Sequence, residues 1–153
     1  EIIGRFDCGN KTINKFLKYK SVNEYEKKIS STHIILDDDN ILLGFYTIKI
    51  IHFNYTESNE YSDNYPYCLN LEYIAIDRTQ QNKGVGSNLL FYIIEEMKEI
   101  SDKIGIRFFT VASVDNKLKW YEKFGFNKII GHIENLMYFD MLDINRGDED
   151  ENF

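Results

Sequence analysis

The sequence has few of the residues that form disulfides or bind metals, with two cysteines and three histidines among its 153 residues. Cys8 and Cys68 lie far apart without metal-ligand spacing, and a chain of this length can bury a full core without a disulfide. The histidines are equally isolated, at His33, His52 and His132. We therefore expect reduced thiols in a cytoplasmic protein that binds no metal.

Long apolar runs are also absent from the sequence. None approaches the roughly 20 residues that a membrane-spanning helix requires, although 43% of the residues are hydrophobic and 15% are aromatic. This composition is typical of a globular protein with no membrane segment. The chain shows no internal repeat, so we expect one domain over residues 1–143 and a disordered acidic tail over residues 144–153.

Positive charge is in deficit, because 18 Lys and Arg residues stand against 25 Asp and Glu residues and the net charge is −7. Part of this charge lies in the acidic tail, so the rest of the chain is only mildly acidic. The balance disfavours broad non-specific binding to nucleic acids, which requires many Lys and Arg contacts with phosphates. It is compatible with a local basic patch.

The sequence does contain alternating helix and strand patterns, which indicate an α/β (α+β) fold. Apolar residues at helical spacing predict helices over residues 10–28, 85–100 and 116–124, the first capped by Asn10 and the last ended by Gly125. Apolar and β-branched runs predict strands over residues 32–36, 41–53, 69–76, 107–112, 129–130 and 136–142. The polar segment 54–67 contains the only proline and is predicted to be a long loop.

The segment 81–86 (Gln-Asn-Lys-Gly-Val-Gly) joins a predicted strand to the longest predicted helix. The first amides of a helix have no intrahelical acceptors and carry partial positive charge, so they can bind phosphate oxygens. Glycines at 84 and 86 allow a ligand to approach the backbone, and Lys83 adds a cation. The spacing matches neither a P-loop nor a dinucleotide-binding fingerprint. A tight turn without any ligand is the alternative.

Three segments resemble the GNAT family of N-acetyltransferases. Residues 81–86 match its acyl-CoA loop, Gln/Arg-x-x-Gly-x-Gly/Ala, and residues 73–77 resemble the family's fourth strand. Residues 120–126 (Trp-Tyr-Glu-Lys-Phe-Gly-Phe) look like the family's Phe-Tyr-Glu-Lys-x-Gly-Phe segment. The resemblance implies a mixed, mostly antiparallel central sheet that is splayed between strands four and five and flanked by helices.

The resemblance also implies an enzyme that moves the acetyl group of acetyl-CoA to a primary amine by direct attack. Tyr121 matches the family tyrosine that protonates the departing CoA thiolate. A core tyrosine packed under the Gly125 turn is the alternative for this residue. The backbone at Ile74 and Ile76 is expected to pair with the pantetheine arm and to face the thioester oxygen. The full set assigned to the coenzyme is Ile74, Ala75, Ile76, Gln81, Asn82, Lys83, Gly84, Val85, Gly86, Ser87 and Asn116.

Two further residues have competing interpretations. Strand alternation places Glu72 on the face shared with Ile74 and Ile76, where its carboxylate could accept the proton of the amine. A solvent-facing or salt-bridged glutamate is the alternative. Asn116 lies where family members often place a CoA-contacting Asn, but its spacing to Tyr121 is two residues shorter than usual. N-capping of the last helix is therefore the favoured interpretation of Asn116.

The N-terminal segment resembles the signature of a GNAT subgroup. Residues 6–10 (Phe-Asp-Cys-Gly-Asn) and 13–17 (Ile-Asn-Lys-Phe-Leu) look like its Phe-x-Cys-Gly-x-x-x-Leu/Ile-x-x-Phe/Trp-Leu pattern, and residues 43–47 resemble its Val-Gly-Tyr-Tyr-x-Leu strand. The subgroup includes toxins that acetylate the amino group of aminoacyl-tRNA and are neutralised by a ribbon-helix-helix antitoxin. Those toxins generally carry Arg where this chain has Tyr73, and they are commonly basic.

Three functions therefore remain open. A toxin-like enzyme acting on aminoacyl-tRNA predicts a basic patch, with Lys11, Lys15, Lys18 and Lys20 as its members. A small-amine (polyamine-like) or protein N-acetyltransferase predicts an acidic cleft formed by Glu72 and the 54–67 loop. A non-catalytic acyl-CoA sensor would keep the glycine loop but tolerate replacement of Tyr121. Exposed Tyr and Ile residues in the last strands would also permit a homodimer.

Overall fold

The computed structural model describes residues 2–53, 64–113, 115–129 and 135–143. The helices are α1 (Lys11–Tyr19), α2 (Ser21–Glu26), α3 (Val85–Ile104) and α4 (Leu118–Glu122). The strands are β1 (Ser31–Leu36), β2 (Leu42–His52), β3 (Tyr67–Ile76), β4 (Phe108–Ala112), β5 (Asn127–Lys128) and β6 (Leu136–Asp140). They form one sheet in the order β1-β2-β3-β4-β6-β5, mostly antiparallel with one parallel pair. The predicted mixed α/β fold is confirmed, whereas the splay between two strands stays a prediction.

The chain divides into two compact units. The first comprises Glu1–Lys49 and Leu71–Ile93, and the second comprises Ile50–Asn70 and Ile94–Phe153. The expectation of one domain over residues 1–143 stays a prediction, and the acidic tail lies outside the described residues. Within the described residues, no helix combines the length and apolar character needed to cross a membrane.

The N-terminal helical region of the first unit begins as predicted and then breaks. The side-chain oxygen of Asn10 accepts the backbone N–H groups of Thr12 and Ile13, at 2.9 and 3.2 Å, which confirms Asn10 as an N-cap. The single helix predicted over residues 10–28 is wrong, because α1 and α2 are separated at Lys20. The Ser21 hydroxyl donates to the Leu17 carbonyl at 2.7 Å and so competes with helical backbone bonding at this break.

Strands β1 and β2 of the first unit, both predicted, form an antiparallel hairpin with Thr32 opposite Thr47. Asp37 closes the turn between them, because its Oδ1 accepts the backbone N–H groups of Asp39 and Ile41 at 3.0 and 2.8 Å. The buried core of this unit combines the N-terminal segment, α1 and the strands; its members are Phe6, Phe16, Leu17, Leu42, Phe45 and Ala75.

Helix α3 confirms the longest predicted helix. Its buried stripe includes Leu90, Ile93 and Met97, each at most 1% exposed, at the spacing of an amphipathic helix. The helix ends before Gly105, whose φ of 71° lies in the left-handed region that commonly terminates helices.

The second unit contains the antiparallel strands β4, β6 and β5. The strand predicted over residues 129–130 is wrong at Ile129, because β5 is Asn127–Lys128, and residue 130 lies outside the described residues. Ile129 is fully buried in the core with Phe53, Cys68 and Phe108, and its N–H donates to the Leu136 carbonyl at 3.0 Å. Core packing therefore explains the apolar, β-branched character of position 129.

An ion pair joins the start of β4 to the end of β6. Arg107 Nε and Nη2 donate to the two carboxylate oxygens of Asp140 at 2.9 and 2.7 Å, and this bonding raises the pKa of Arg107. The guanidinium also lies 4.8 Å from the centre of the Tyr65 ring. Both charged side chains are largely buried, so removing one partner leaves the other uncompensated.

We expect Arg107→Met to lower the free energy of unfolding by about 3 kcal/mol, measured by chemical denaturation. The matched control is Lys98→Met, which breaks the exposed Glu95–Lys98 pair of α3. That control should cost less than about 1 kcal/mol, because exposed pairs are screened by solvent. Equal losses for the two variants would show that the buried Arg107–Asp140 pair contributes no more to the free energy of unfolding than an exposed pair.

Candidate functional site

The glycine loop follows directly from the end of β3 in the first unit. Asp77 caps the 3-10 turn Arg78–Gln80, since its Oδ1 accepts from the backbone N–H and hydroxyl of Thr79 at 3.0 and 2.8 Å. The chain then passes through two left-handed residues, Asn82 with φ 60° and Gly84 with φ 82°. Asn and Gly are the residues that adopt this conformation most readily, so the local sequence accounts for the loop's shape.

Helix α3 presents its first amides beside open space. Its first backbone hydrogen bond runs from Asn88 N–H to the Gly84 carbonyl, at 3.1 Å. The amides of Val85 and Gly86 therefore precede the hydrogen-bonded ladder and have no acceptor within the helix. A Cβ placed on Gly84 would meet no other heavy atom within 4 Å. An anionic ligand can thus approach the backbone here and accept hydrogen bonds from these N–H groups.

Two polar side chains of the loop bond to the first unit's own backbone. Gln81 Nε2 donates to the carbonyls of Cys8 and Ile76, at 2.9 Å in each case. Lys83 Nζ donates to the carbonyl of Thr79 at 2.7 Å. An ammonium has three donors, so Lys83 can still offer two to a ligand, whereas both N–H groups of the Gln81 amide are used.

The end of β3 supplies the remaining predicted coenzyme contacts of the first unit. Ile74 and Ile76 are half-buried and Ala75 is buried. Glu72 is also half-buried, and its Oε2 lies 2.8 Å from Lys49 Nζ on β2. Glu72 thus forms the salt bridge that was the alternative to a general base, and any proton transfer to it would have to accommodate Lys49.

Tyr73 is half-buried and packs against the core of the first unit. Its ring lies 4.4 Å from that of Phe16, centre to centre. Burial, aided by the negative charge of Glu72, raises the pKa of the Tyr73 phenol. This packing is the physical role of the tyrosine where the toxin signature carries Arg.

Tyr121 belongs to the second unit and is 6% exposed. Its ring contacts Trp120 and Phe126 edge-on, with centres 4.9 and 5.5 Å apart. Its carbonyl accepts the N–H groups of Phe124 and Phe126, closing a turn in which Gly125 has a φ of 92°. Burial raises the pKa of Tyr121 to about 12, so the phenol keeps its proton at neutral pH.

Asn116, also in the second unit, is exposed within the 3-10 turn Asp115–Lys117. The predicted N-capping role is wrong, because Lys117 is the N-cap residue of α4 and makes no side-chain capping bond. The 3-10 turn precedes α4, so the N-cap lies one residue after Asn116 and the helix begins two residues later than predicted. Contact of Asn116 with CoA stays a prediction.

The first unit therefore brings together residues 72–76 and 81–87, while Tyr121 and Asn116 lie in the second unit. Sequence reasoning missed the supporting polar residues of the first unit: Asp7, Asn14, Lys49 and Asp77. Of these, only Asp7 and Asn14 carried a signal, because they flank the glycine of the N-terminal signature.

The histidines and cysteines form no metal site among the described residues. The ring of His33 stacks on Tyr46 at 4.8 Å, and His52 meets Tyr67 edge-on at 5.6 Å. His132 lies outside the described residues. Cys8 and Cys68 are free thiols, and burial raises the pKa of Cys68 to about 11.

Comparison with known proteins identifies a matching family and several similar solved structures. The family model of the acetyltransferase (GNAT) domain matches residues 6–137. Among solved structures, AtaT complexed with acetyl-methionyl-tRNAfMet is 26% identical with a TM-score of 0.80, covering 94% of this chain and 90% of that chain. A mutant AtaT toxin bound to the C-terminus of the antitoxin AtaR and acetyl-CoA is also 26% identical, with a TM-score of 0.78 and coverage of 96% and 90%. A mutant of KacT, at 24% identity, shares the fold with a TM-score of 0.79 and coverage of 94% and 90%.

Proposed function

Since this chain belongs to the GNAT acetyltransferase family, and is thereby an N-acetyltransferase, we propose that it transfers the acetyl group of acetyl-CoA to the amino group of an aminoacyl-tRNA. The observation that carries the donor assignment is the start of α3, where the amides of Val85 and Gly86 lack intrahelical acceptors and adjoin open space at Gly84. The structural relative AtaT binds acetyl-CoA, which supports the same donor here.

In the proposed complex, the amides of Val85 and Gly86 receive the diphosphate of CoA, and the free donors of Lys83 add positive charge. The backbone of Ile74 and Ile76 then pairs with the pantetheine arm. Acetyl-CoA supplies an activated thioester. The neutral amine attacks its carbonyl carbon, the C–S bond breaks, and CoA leaves as a thiolate. The chain's contribution at this step is to orient the thioester and to offer an amide to its oxygen.

Tyr121 is the proposed proton donor to the CoA thiolate. Its buried phenol is protonated throughout the physiological pH range because its pKa is raised to about 12. The proton that the amine loses passes to water or, through water, to Glu72. In the second route the Glu72 carboxylate would receive the proton while its Oε2 lies 2.8 Å from Lys49 Nζ.

Two observations favour aminoacyl-tRNA as the acceptor. AtaT, the relative that covers nearly the whole chain, was solved with acetyl-methionyl-tRNAfMet. On this chain, α1 presents Lys11, Lys15 and Lys18 at spacings of four and three residues, which places them on one helix face. A cationic face of this kind suits phosphate contact. We further propose that an antitoxin partners this chain, as AtaR partners AtaT.

The net charge of −7 favours a second candidate, a small-amine N-acetyltransferase, because a negative surface attracts cationic amines. The pairing of Glu72 with Lys49 opposes this reading, since it neutralises the acidic group that was expected to attract the amine.

An acetyl-transfer assay with labelled acetyl-CoA separates these candidates. We expect label to enter aminoacyl-tRNA but not spermidine or peptides, and expression of the chain to arrest translation. The Lys11→Glu/Lys15→Glu variant should lower kcat/KM for tRNA at least about fivefold, because two phosphate-binding cations are reversed. The control variant Lys27→Glu/Lys28→Glu makes the same charge change after α2. Label transfer to spermidine alone would refute the tRNA assignment and support the second candidate.

A further inference from the structure

The N-terminal signature packs against the glycine loop through a network of polar contacts. We propose that Asp7 and Gln81 are positioning residues, which hold the loop and the start of α3 in the conformation that binds the coenzyme diphosphate. The inference rests on the proposed acetyl-CoA site. The proposal explains what the signature Phe-Asp-Cys-Gly-Asn does: it supports the glycine loop. The family resemblance alone does not specify this role.

Gln81 joins the loop to two other segments. Its single amide nitrogen donates to Ile76 at the end of β3 and to Cys8 in the signature, both at 2.9 Å. These bonds use both hydrogens of the amide, and the remaining side-chain oxygen is an acceptor that would repel a phosphate. The side chain of Gln81 therefore acts on the ligand through the backbone that it holds.

Asp7 fixes the segment that carries the Cys8 carbonyl. Its Oδ1 accepts from Gly9 N–H at 2.8 Å and from Asn14 Nδ2 at 2.7 Å. Its Oδ2 lies 3.4 Å from Arg78 Nη1. Donation by the Gly9 amide, and then by Asn14, lowers the pKa of Asp7, which keeps the carboxylate ionised at neutral pH.

The backbone of Asp7 is bonded on both sides to the turn that precedes the loop. Its N–H donates to Asp77 Oδ2 at 3.0 Å, and its carbonyl accepts from Arg78 N–H at 2.9 Å. Asn14 Oδ1 in turn accepts the N–H of Cys8 at 3.0 Å. The signature and the 3-10 turn are thus joined by one hydrogen-bond network. Gln81 is bonded to this network through the Cys8 carbonyl.

The glycine of the signature is favoured by the backbone conformation at this position. Gly9 has a φ of 91°, and a Cβ at this position would lie 3.2 Å from Arg78 Nε. A side chain here would strain the backbone and press against the guanidinium that pairs with Asp7. The Asp-x-Gly spacing and the Asn at position 14 are therefore explained by the network itself.

The test compares acetyl-CoA binding by the full chain and its Asp7→Ala and Gln81→Leu variants, using isothermal titration calorimetry. We expect each variant to raise the Kd for acetyl-CoA about tenfold, the effect of losing the net contribution of one hydrogen bond. In turnover assays the KM for acetyl-CoA should rise in parallel, while kcat at saturating acetyl-CoA stays within about twofold of the wild type. Loss of kcat with unchanged KM would overturn the positioning role.

Asp37→Ala is the matched structural control. It removes two amide-accepting bonds, at 3.0 and 2.8 Å, from another turn of the same unit. It should leave the Kd for acetyl-CoA unchanged even if it lowers the melting temperature. A rise in Kd equal to that of Asp7→Ala would assign the effect to general destabilisation. If Asp7→Ala does not fold, Gln81→Leu carries the test, because it removes the link between the signature and the loop without touching the Asp7 carboxylate.

A double variant distinguishes positioning from direct contact. If Asp7 and Gln81 act through one network, Asp7→Ala/Gln81→Leu should bind acetyl-CoA about as weakly as the weaker single variant. If Gln81 contacts the diphosphate itself, Asp7→Ala alone will leave the Kd unchanged, and the inference is overturned while the proposed function stands. Failure of the wild-type chain to bind acetyl-CoA would instead overturn the proposed function, and this inference with it.

Discussion

Tyr121→Phe should lower kcat for acetyl transfer about 100- to 10,000-fold, the usual contribution of a positioned acid or base. The Kd for acetyl-CoA should be unchanged, because the variant removes only the phenol oxygen and leaves the ring contacts with Trp120 and Phe126 in place. Stopped-flow or steady-state assays with saturating acetyl-CoA measure the chemical effect, and calorimetry measures the binding. A variant that keeps the full rate would eliminate Tyr121 as the proton donor.

The control for this experiment is Tyr46→Phe, which removes the hydroxyl of another buried tyrosine, 1% exposed, in the first unit. It should leave kcat unchanged. The pH profile gives a second check. A group with its pKa raised to about 12 stays protonated below that pH, so loss of the donor should not reduce wild-type kcat between pH 7 and about 11. An alkaline fall centred near pH 8 would point to a different donor.

Features set by neighbouring residues were predictable from the sequence. The Asn10 cap needs only a short polar side chain before a helix, and two bonds to the following amides confirm it. The glycine loop was equally visible, since Asn82 and Gly84 supply left-handed conformations between a strand and a helix. The family motif and the loop geometry therefore agree.

Features set by distant residues were not predictable in this way. Gln81 bonds to a carbonyl 73 positions away, and Glu72 pairs with Lys49 on a different strand. No periodicity in the sequence specifies such partners. The same limit explains the error at Ile129, where a β-branched pattern indicated a strand but the side chain instead fills the core after β5.

Gly84→Val should weaken acetyl-CoA binding by roughly 100-fold, equivalent to about 2.7 kcal/mol. The side chain would occupy the open space beside the α3 amides, which is the space assigned to the diphosphate. Its φ of 82° also places valine in a strained backbone conformation, at a cost of about 1–2 kcal/mol. Calorimetric titration with acetyl-CoA measures the first effect, and chemical denaturation measures the second.

Gly105→Val separates these two effects because it reproduces the strain at the opposite end of the same helix. Gly105 has a φ of 71°, and a Cβ there also meets no heavy atom within 4 Å. Both variants should therefore lose similar stability, whereas only Gly84→Val should lose affinity for acetyl-CoA. Since an α-helix carries partial positive charge at its N-terminus alone, Gly105 cannot serve as an anion site. Equal affinities for the two variants would place the coenzyme diphosphate elsewhere on the chain.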